Sequence, residues 1–150
     1  MVKIIRAATD RLEQVVPLFD QYRVFYGKKS DLPKAKAFLT ERFSNQENVL
    51  FLALQNENAV GFTQLYQTFS SVSLQPFYIL NDLFVDASCR NEGIGALLLK
   101  EAQSFCKEQS FKGLALETAI DNPAQKLYEK LGWKKDTDFL HYFWSASDKV

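Results

Sequence analysis

The sequence has little of what secreted, metal-binding, membrane or nucleic-acid-binding proteins need. Its two cysteines, Cys89 and Cys106, are too few for a disulfide scaffold and lack the CxxC spacing of metal sites, so we expect no metal. No apolar run reaches the roughly 18 residues of a membrane span. Lysine plus arginine and aspartate plus glutamate each total 18, which leaves no basic excess to attract a nucleic acid. The opening MVKIIRAATD has no signal-peptide core, so we expect a cytoplasmic protein with neither a membrane nor a nucleic-acid partner.

Aromatic side chains are abundant, with 13 phenylalanines in 150 residues. That length predicts a single domain over residues 1–150 with a core of its own. So many large apolar rings indicate either a thick core or an apolar groove.

Apolar periodicity predicts alternating strands and helices along the chain. The order is β α α β β β α β α β, with strands at 3–7, 49–54, 59–69, 75–85, 113–118 and 139–144. The half from Gln75 to Gly132 reads strand, helix, strand, helix. Its two strands are therefore expected to be parallel, joined by a right-handed crossover.

The stretch RNEGIG, residues 90–95, stands between a predicted strand and a predicted helix. Such a turn presents unpaired backbone N–H groups and the positive end of the helix, and two glycines keep side chains away from them. A phosphate or pyrophosphate is the natural ligand, although glycines can also end a strand without binding anything. The stretch lacks the Gly-Lys-Ser/Thr of a P-loop and the third small residue of a dinucleotide fingerprint.

Two segments, LNDLFVDASCRNEGIGALLL and LETAIDNPAQKLYEKLGW, together resemble the GNAT superfamily of acetyl-CoA-dependent N-acetyltransferases. They match its motifs A and B over residues 80–133. The resemblance implies an α/β fold with a mixed, mostly antiparallel sheet, splayed parallel central strands and helices on both faces. It also implies an acyltransferase that moves an acetyl group from acetyl-CoA directly to a primary amine, without a metal. A non-catalytic acyl-CoA sensor and a plain interaction domain are the alternatives.

The same resemblance implies which residues hold the cofactor. The backbone of Phe84 and Val85 would pair with the pantetheine arm, the turn would hold the pyrophosphate, and two residues of motif B would complete the site. The residues implied are Phe84, Val85, Arg90, Asn91, Glu92, Gly93, Ile94, Gly95, Ala96, Asn122 and Tyr128.

Direct attack of an amine on the thioester needs a proton donor for the thiolate and a base for the amine. Tyr128 is the implied donor, since a tyrosine with a pKa of about 10 stays protonated at neutral pH. Asp82 and Glu117 are the candidate bases, each with a buried pairing carboxylate as the alternative. Asn81 stands where the diamine acetyltransferases carry the glutamate that is thought to be their base. His141, on the predicted last strand, is expected to be structural.

The acceptor is expected to approach over the first two helices, where the sequence reads FDQYRVFYGKKSD. Tyr22, Phe25 and Tyr26 would form an aromatic wall for a cation, with Asp20, Asp31 and Asp82 attracting it. The alternative is that Phe25 and Tyr26 merely continue the core stripe of the helix. A small-molecule or peptide amine is expected as acceptor, and a homodimer as the assembly.

Overall fold

The structure is a computed structural model of the chain and describes residues 1–147. The chain divides into two compact units, Met1–Glu117 and Thr118–Val150. The first unit holds the sheet and three helices, and the second holds one short helix. No helix among residues 1–147 is long and apolar enough to cross a membrane.

The first unit is built on one five-stranded sheet whose spatial order follows the chain. The first four strands pair antiparallel and the fifth pairs parallel to the fourth. The strands are β1 (Val2–Ala7), β2 (Asn48–Gln55), β3 (Asn58–Ser70), β4 (Gln75–Val85) and β5 (Leu114–Ala115).

Helices cover both faces of this sheet, as predicted. In β2, alternate side chains point to opposite faces. Leu50, Leu52 and Leu54 join the core beneath the first two helices, whereas Phe51 meets Phe105 of the third with ring centroids 5.5 Å apart. The helices are α1 (Leu12–Phe25), α2 (Leu32–Ser44) and α3 (Ile94–Glu108), with α4 (Gln125–Lys130) in the second unit.

The parallel pairing of β4 and β5 is short. It joins Tyr78 to Leu114 and Ile79 to Ala115, and β4 then continues for six more residues to Val85. The fifth strand is therefore shorter than the predicted 113–118. The mixed, mostly antiparallel sheet with a parallel β4–β5 pair is confirmed, although β5 is an edge strand of the sheet within residues 1–147.

The predicted aromatic strand at 139–144 is wrong. Within residues 1–147 the backbone of this segment joins no β-ladder, and its large side chains are mainly exposed, with Trp144 at 84%. A run of alternating apolar residues becomes a strand only when another strand satisfies its backbone N–H and C=O groups. The apolar pattern alone therefore did not specify a strand here.

Candidate active site

A β-bulge at Asn81 determines which way the end of β4 faces. Gln64 of β3 pairs with Asp82, but the next residue, Leu65, pairs with Leu80, so Asn81 is the extra residue. Tyr78 and Phe84 are six residues apart and would share a face of a regular strand. Instead, Tyr78 packs on Phe105 of α3, while Phe84 joins the core beneath α1. The bulge therefore places the Phe84 side chain on the face of the sheet that α1 covers.

Asp82, directly after the bulge, is a buried carboxylate with only 2% of its surface exposed. Its Oδ1 accepts a hydrogen bond from the Asn81 side-chain amide at 2.8 Å, and its Oδ2 accepts one from Gln64. Burial raises the pKa of Asp82, although these amides and the nearby Tyr22 hydroxyl favour the ionised form and lower it. The site therefore contains a buried carboxylate whose pKa is raised above its ordinary value.

Behind Asp82, a chain of amide side chains crosses the sheet. The Asn48 amide of β2 donates to Oε1 of Gln64 at 2.7 Å, which leaves the Gln64 amide free to donate to Asp82. Sequence reasoning missed both Asn48 and Gln64. The signal was a glutamine in the middle of the apolar strand VGFTQLYQ, because a fully buried amide must find hydrogen-bond partners.

Tyr22 of α1 connects this polar chain to the aromatic residues of the site. Its hydroxyl donates to the backbone carbonyl of Asn81 at 3.1 Å. Its ring lies edge-on to Phe62, Phe84 and Tyr26, at centroid distances of 5.8, 6.2 and 5.0 Å. Burial, followed by the negative charge of Asp82, raises the pKa of Tyr22 far above its ordinary value, so the hydroxyl keeps its proton.

Phe25 and Tyr26 do not continue the core stripe of α1, so that alternative is wrong. Their exposed fractions are 64% and 61%, and their rings meet edge-on at 5.3 Å. A cation does lie over the Phe25 ring, but it is the guanidinium of Arg90 from the same chain, 5.8 Å from the ring centroid.

The two carboxylates expected near this wall have structural contacts. Asp20 is buried and accepts hydrogen bonds from the Ser30 hydroxyl at 2.6 Å and the Asp31 backbone N–H at 2.8 Å. Asp31 caps α2 by accepting the Lys34 backbone N–H at 3.1 Å. Both carboxylates therefore hold the loop and the helix that follow α1.

The predicted turn after β4 has the backbone that a phosphate site requires. Asn91 and Gly93 both take positive φ, +66° and +79°, and Gly93 is the N-cap of α3. Within residues 1–147, none of the backbone N–H groups from Asn91 to Ala96 donates to a protein acceptor. A Cβ built on Gly93 would meet nothing within 4 Å, so the space beside these amides is open. The turn can therefore receive an anion at the positive end of α3.

The charged side chains of this turn make contacts elsewhere in the protein. The Arg90 Nε donates to the backbone carbonyl of Val85 at 3.1 Å, and its guanidinium lies 5.6 Å from the Phe84 ring centroid. Glu92 accepts a hydrogen bond from Gln55 at the end of β2. Ile94 is buried beneath the turn. The backbone amides of Asn91 to Ala96, rather than the Arg90 and Glu92 side chains, are therefore the donors that the turn offers to a ligand.

A cleft of about 640 Å³ opens beside Asn81. Arg42 lies at its α2 side, paired with Glu41 at 3.1 Å and Glu47 at 3.2 Å, and so brings no net positive charge. Burial and the charge of Asp82 raise the pKa of Tyr66, which was also missed from the sequence. The cleft is lined by Phe38, Arg42, Gln46, Glu47, Tyr66, Gln67, Phe69 and Asn81.

The other predicted residues lie at the end of the first unit and in the second. Glu117 is exposed and follows β5. Asn122 accepts the Ala124 backbone N–H at 2.9 Å in the turn before α4 and donates to the Thr118 hydroxyl at 2.9 Å, while Ala124 is the N-cap of the helix. Tyr128 is half-buried on α4, and its ring centroid is 6.0 Å from that of Trp133.

Cys89 lies just before the turn, where its thiol contacts the Gln55 side-chain oxygen at 4.0 Å. Cys106 is buried on α3, as expected of a core residue. Among residues 1–147 there is no group of three or more His, Cys, Asp or Glu side chains that could hold a metal ion.

Comparison with known proteins identifies the family. Residues 12–133 match the acetyltransferase (GNAT) family. The chain is 46% identical over 142 residues to an uncharacterized N-acetyltransferase, YhfO, of Bacillus subtilis, covering 94% of this chain and 95% of that protein. It is 31% identical to a probable acetyltransferase of Haemophilus influenzae, covering 85% and 97%.

Solved structures agree with the sequence matches. The crystal structure of a probable acetyltransferase superposes with a TM-score of 0.92 at 37% identity, covering 98% of this chain and 99% of that one. The protein is therefore an acyltransferase and a member of the GNAT acetyltransferase family.

Proposed function

We propose that this enzyme transfers the acetyl group of acetyl-CoA directly to a primary amine, within a ternary complex of donor, acceptor and protein. The observation that carries the proposal is the row of unpaired backbone N–H groups from Asn91 to Ala96. These groups fit the pyrophosphate of coenzyme A, because they gather several donors and the positive end of α3 around one open space.

The pantetheine arm is proposed to follow the end of β4. Beyond Ile79 this strand has no pairing with β5, so its backbone from Leu80 to Val85 can accept an extended ligand on that side. In this structure the Val85 carbonyl already accepts a hydrogen bond from the Arg90 side chain. Binding of the arm at that carbonyl would therefore require the Arg90 side chain to turn aside.

The acceptor amine is proposed to enter the cleft beside Asn81. Arg42 is neutralised there by two glutamates, and the nearby Asp82 adds a carboxylate. Such a cleft does not repel a cationic amine, because Arg42 and Glu47, the two charged residues in its lining, offset each other. Phe38 and Phe69 offer apolar surface to the body of a small-molecule or peptide amine.

Asp82 is the proposed base and Tyr128 the proposed acid. An ammonium must lose its proton before it can attack, and a base with a pKa near the working pH removes that proton most effectively. Its raised pKa makes Asp82 the better match, and it lies in the sheet next to the cleft-lining Asn81, whereas Glu117 is exposed beyond β5. Tyr128, by its place in the second family motif, would donate a hydrogen bond to the departing thiolate.

Two measurements test this function. Titration calorimetry should give low-micromolar or tighter binding of acetyl-CoA and no heat with NAD. Thiol release should then be measured with a panel of polyamines, amino acids, aminoglycosides and lysine peptides. Absence of acetyl-CoA binding would refute the donor assignment, whereas binding without thiol release from any amine would refute the acceptor assignment.

The assembly and the cellular location are also proposals. We expect a homodimer in the cytoplasm, as the family resemblance and the sequence suggest. Size-exclusion chromatography with light scattering measures the first, and fractionation of the source cells measures the second. A monomer at micromolar concentration would contradict the proposed dimer.

A further inference from the structure

A second cavity, of about 580 Å³, lies beside the proposed acceptor cleft, where β2 begins. Gln46, Glu47 and Gln67 line both cavities. Gln46 and Glu47 precede β2, and within the described part of the chain residues 67–70 of β3 extend past the start of β2 without a partner in it. No β2 backbone therefore separates the two faces of the sheet at this end, and one ligand can reach from the cleft into the second cavity.

Two polar side chains of the second cavity are available to a ligand. Arg6 of β1 is exposed, and its guanidinium lies 5.0 Å from the centroid of the Phe105 ring. Tyr78 of β4 is buried, with its ring 5.6 Å from the same ring. Within residues 1–147 the guanidinium forms no ion pair and the Tyr78 hydroxyl forms no hydrogen bond. Together they offer the donors that a carboxylate requires.

The charges of the two cavities differ. In the cleft, the Arg42 guanidinium lies 3.2 Å from the Glu47 carboxylate and offsets it. In the second cavity the charged lining residues are Arg6 and the same Glu47, which Arg42 already neutralises. Arg6 is therefore a positive charge without a counterion here. A polyamine or an aminoglycoside would bring a further cation to it, and like charges repel.

The separation of the cavities sets the length of such an acceptor. Tyr78 lines the second cavity and Asn81 lines the cleft, and the two are three residues apart on β4. At about 3.3 Å per residue this is roughly 10 Å. An extended chain of about three residues spans that distance, whereas a single amino acid is too short.

The residues between the cavities suit the body of a peptide. Gln46 and Gln67 are exposed, and within residues 1–147 neither side chain forms a hydrogen bond. Each side-chain amide can donate through its nitrogen and accept through its oxygen. A peptide group needs one partner of each kind, because it carries one N–H and one C=O.

We propose that the second cavity holds a carboxylate of the acceptor and that Arg6 selects for it, so that the acceptor is a short peptide rather than a polyamine or an aminoglycoside. This inference rests on the proposed acetyl transfer to an amine in the cleft. Arg6 contacts the far end of the acceptor and no reacting atom. It therefore determines specificity through binding and takes no part in the chemical step.

The test measures KM and kcat for three tripeptides that begin with lysine and so offer both an α- and an ε-amine. One ends in a free carboxylate, one in an amide, and one in an amide with glutamate as its last residue. For the wild type, a carboxylate should lower KM about tenfold relative to the plain amide with kcat unchanged. Tenfold is the low end for a hydrogen bond to a charged group, as expected for an exposed arginine. A low KM for the free acid or for the glutamate amide identifies which carboxylate binds.

Arg6→Gln should remove the difference between the acids and the amide, because it raises KM for the acids alone. Arg11→Gln is the matched control, since Arg11 lines neither cavity and donates to Gln14 at 2.9 Å; it should keep the difference. Equal KM values for all three tripeptides in the wild type overturn the inference alone. So does acetylation of polyamines without acetylation of any tripeptide, or an Arg6→Gln variant that retains the difference. If the wild type acetylates no amine, the proposed function and this inference fall together.

Discussion

Adding one methyl group at Gly61 should disturb the proposed acetyl-CoA site, because it would displace the neighbouring strand β4. It lies in β3, pairs with Val85, and follows the irregularity where the β2–β3 register shifts. A Cβ built on it would stand 2.9 Å from the Phe84 carbonyl oxygen, 3.4 Å from the Val85 Cα and 3.4 Å from Cδ1 of Leu98. The nearest of these atoms is backbone, so β4 itself must move to make room.

The Gly61→Ala variant should therefore lose both stability and donor affinity. Overpacking of this kind costs about 1–3 kcal/mol, which for a chain of this length lowers Tm by roughly 2–12 °C. The displaced backbone is that of Phe84 and Val85, the residues proposed to pair with the pantetheine arm. The KM for acetyl-CoA should accordingly rise, while amine specificity should not change.

Thermal unfolding followed by circular dichroism and steady-state kinetics test this prediction together. Gly113→Ala is the matched control, because a Cβ there would meet nothing within 4 Å and should be neutral or slightly stabilising. The reasoning fails if Gly61→Ala melts at or above the Tm of Gly113→Ala. It also fails if the variant is destabilised but its KM for acetyl-CoA equals that of wild type.

Three further outcomes are expected. Gly93→Asp should abolish acetyl-CoA binding in calorimetry, because it puts a negative side chain beside the amides of the turn. Gly27→Asp is the control: it introduces the same side chain at a similar φ (+87° against +79°) but outside the turn, and should bind acetyl-CoA normally. Tyr128→Phe should lower kcat about 10- to 100-fold with unchanged acetyl-CoA affinity, while Tyr142→Phe has no effect; equal rates for both would make Tyr128 a packing residue. Because burial raises the folded pKa of Asp82, the folded state binds this proton more tightly than the unfolded state. The unfolding free energy of wild type relative to Asp82→Asn should therefore fall as pH rises above ~4, and a difference that is flat with pH in urea denaturation would contradict it.

Much of the sheet and the glycine turn was predictable from local sequence. Strand β4 begins and ends where the apolar pattern placed it, and α3 begins at Ile94 as predicted. Gly93 takes the positive φ that its residue type favours. The family resemblance was likewise carried by two local segments within residues 80–133, so it could be recognised without knowing the tertiary structure.

The environment of Asp82 was not predictable in the same way. Nothing local to LNDLFVD shows that Asn81 is a bulge, because the register shift is measured against β3, some 16 residues earlier in the chain. The same holds for Gln64 and Asn48, which become neighbours of Asp82 only when three strands align. Arg90 was expected to add charge at the phosphate turn, yet its side chain extends to the Phe25 and Phe84 rings.

The sequence by itself determined elements that depend on neighbours along the chain, namely the bounds of β4, the start of α3 and the turn at Gly93. Tertiary structure alone decided which face of the sheet Asp82 lies on, how deeply it is buried and which two side-chain amides bind it. The physical reason is that backbone torsions and caps are set within a few residues, whereas burial and hydrogen-bond partners are set by strand register. A shift of one residue at Asn81 would direct Asp82 to the face covered by α3, away from Tyr22.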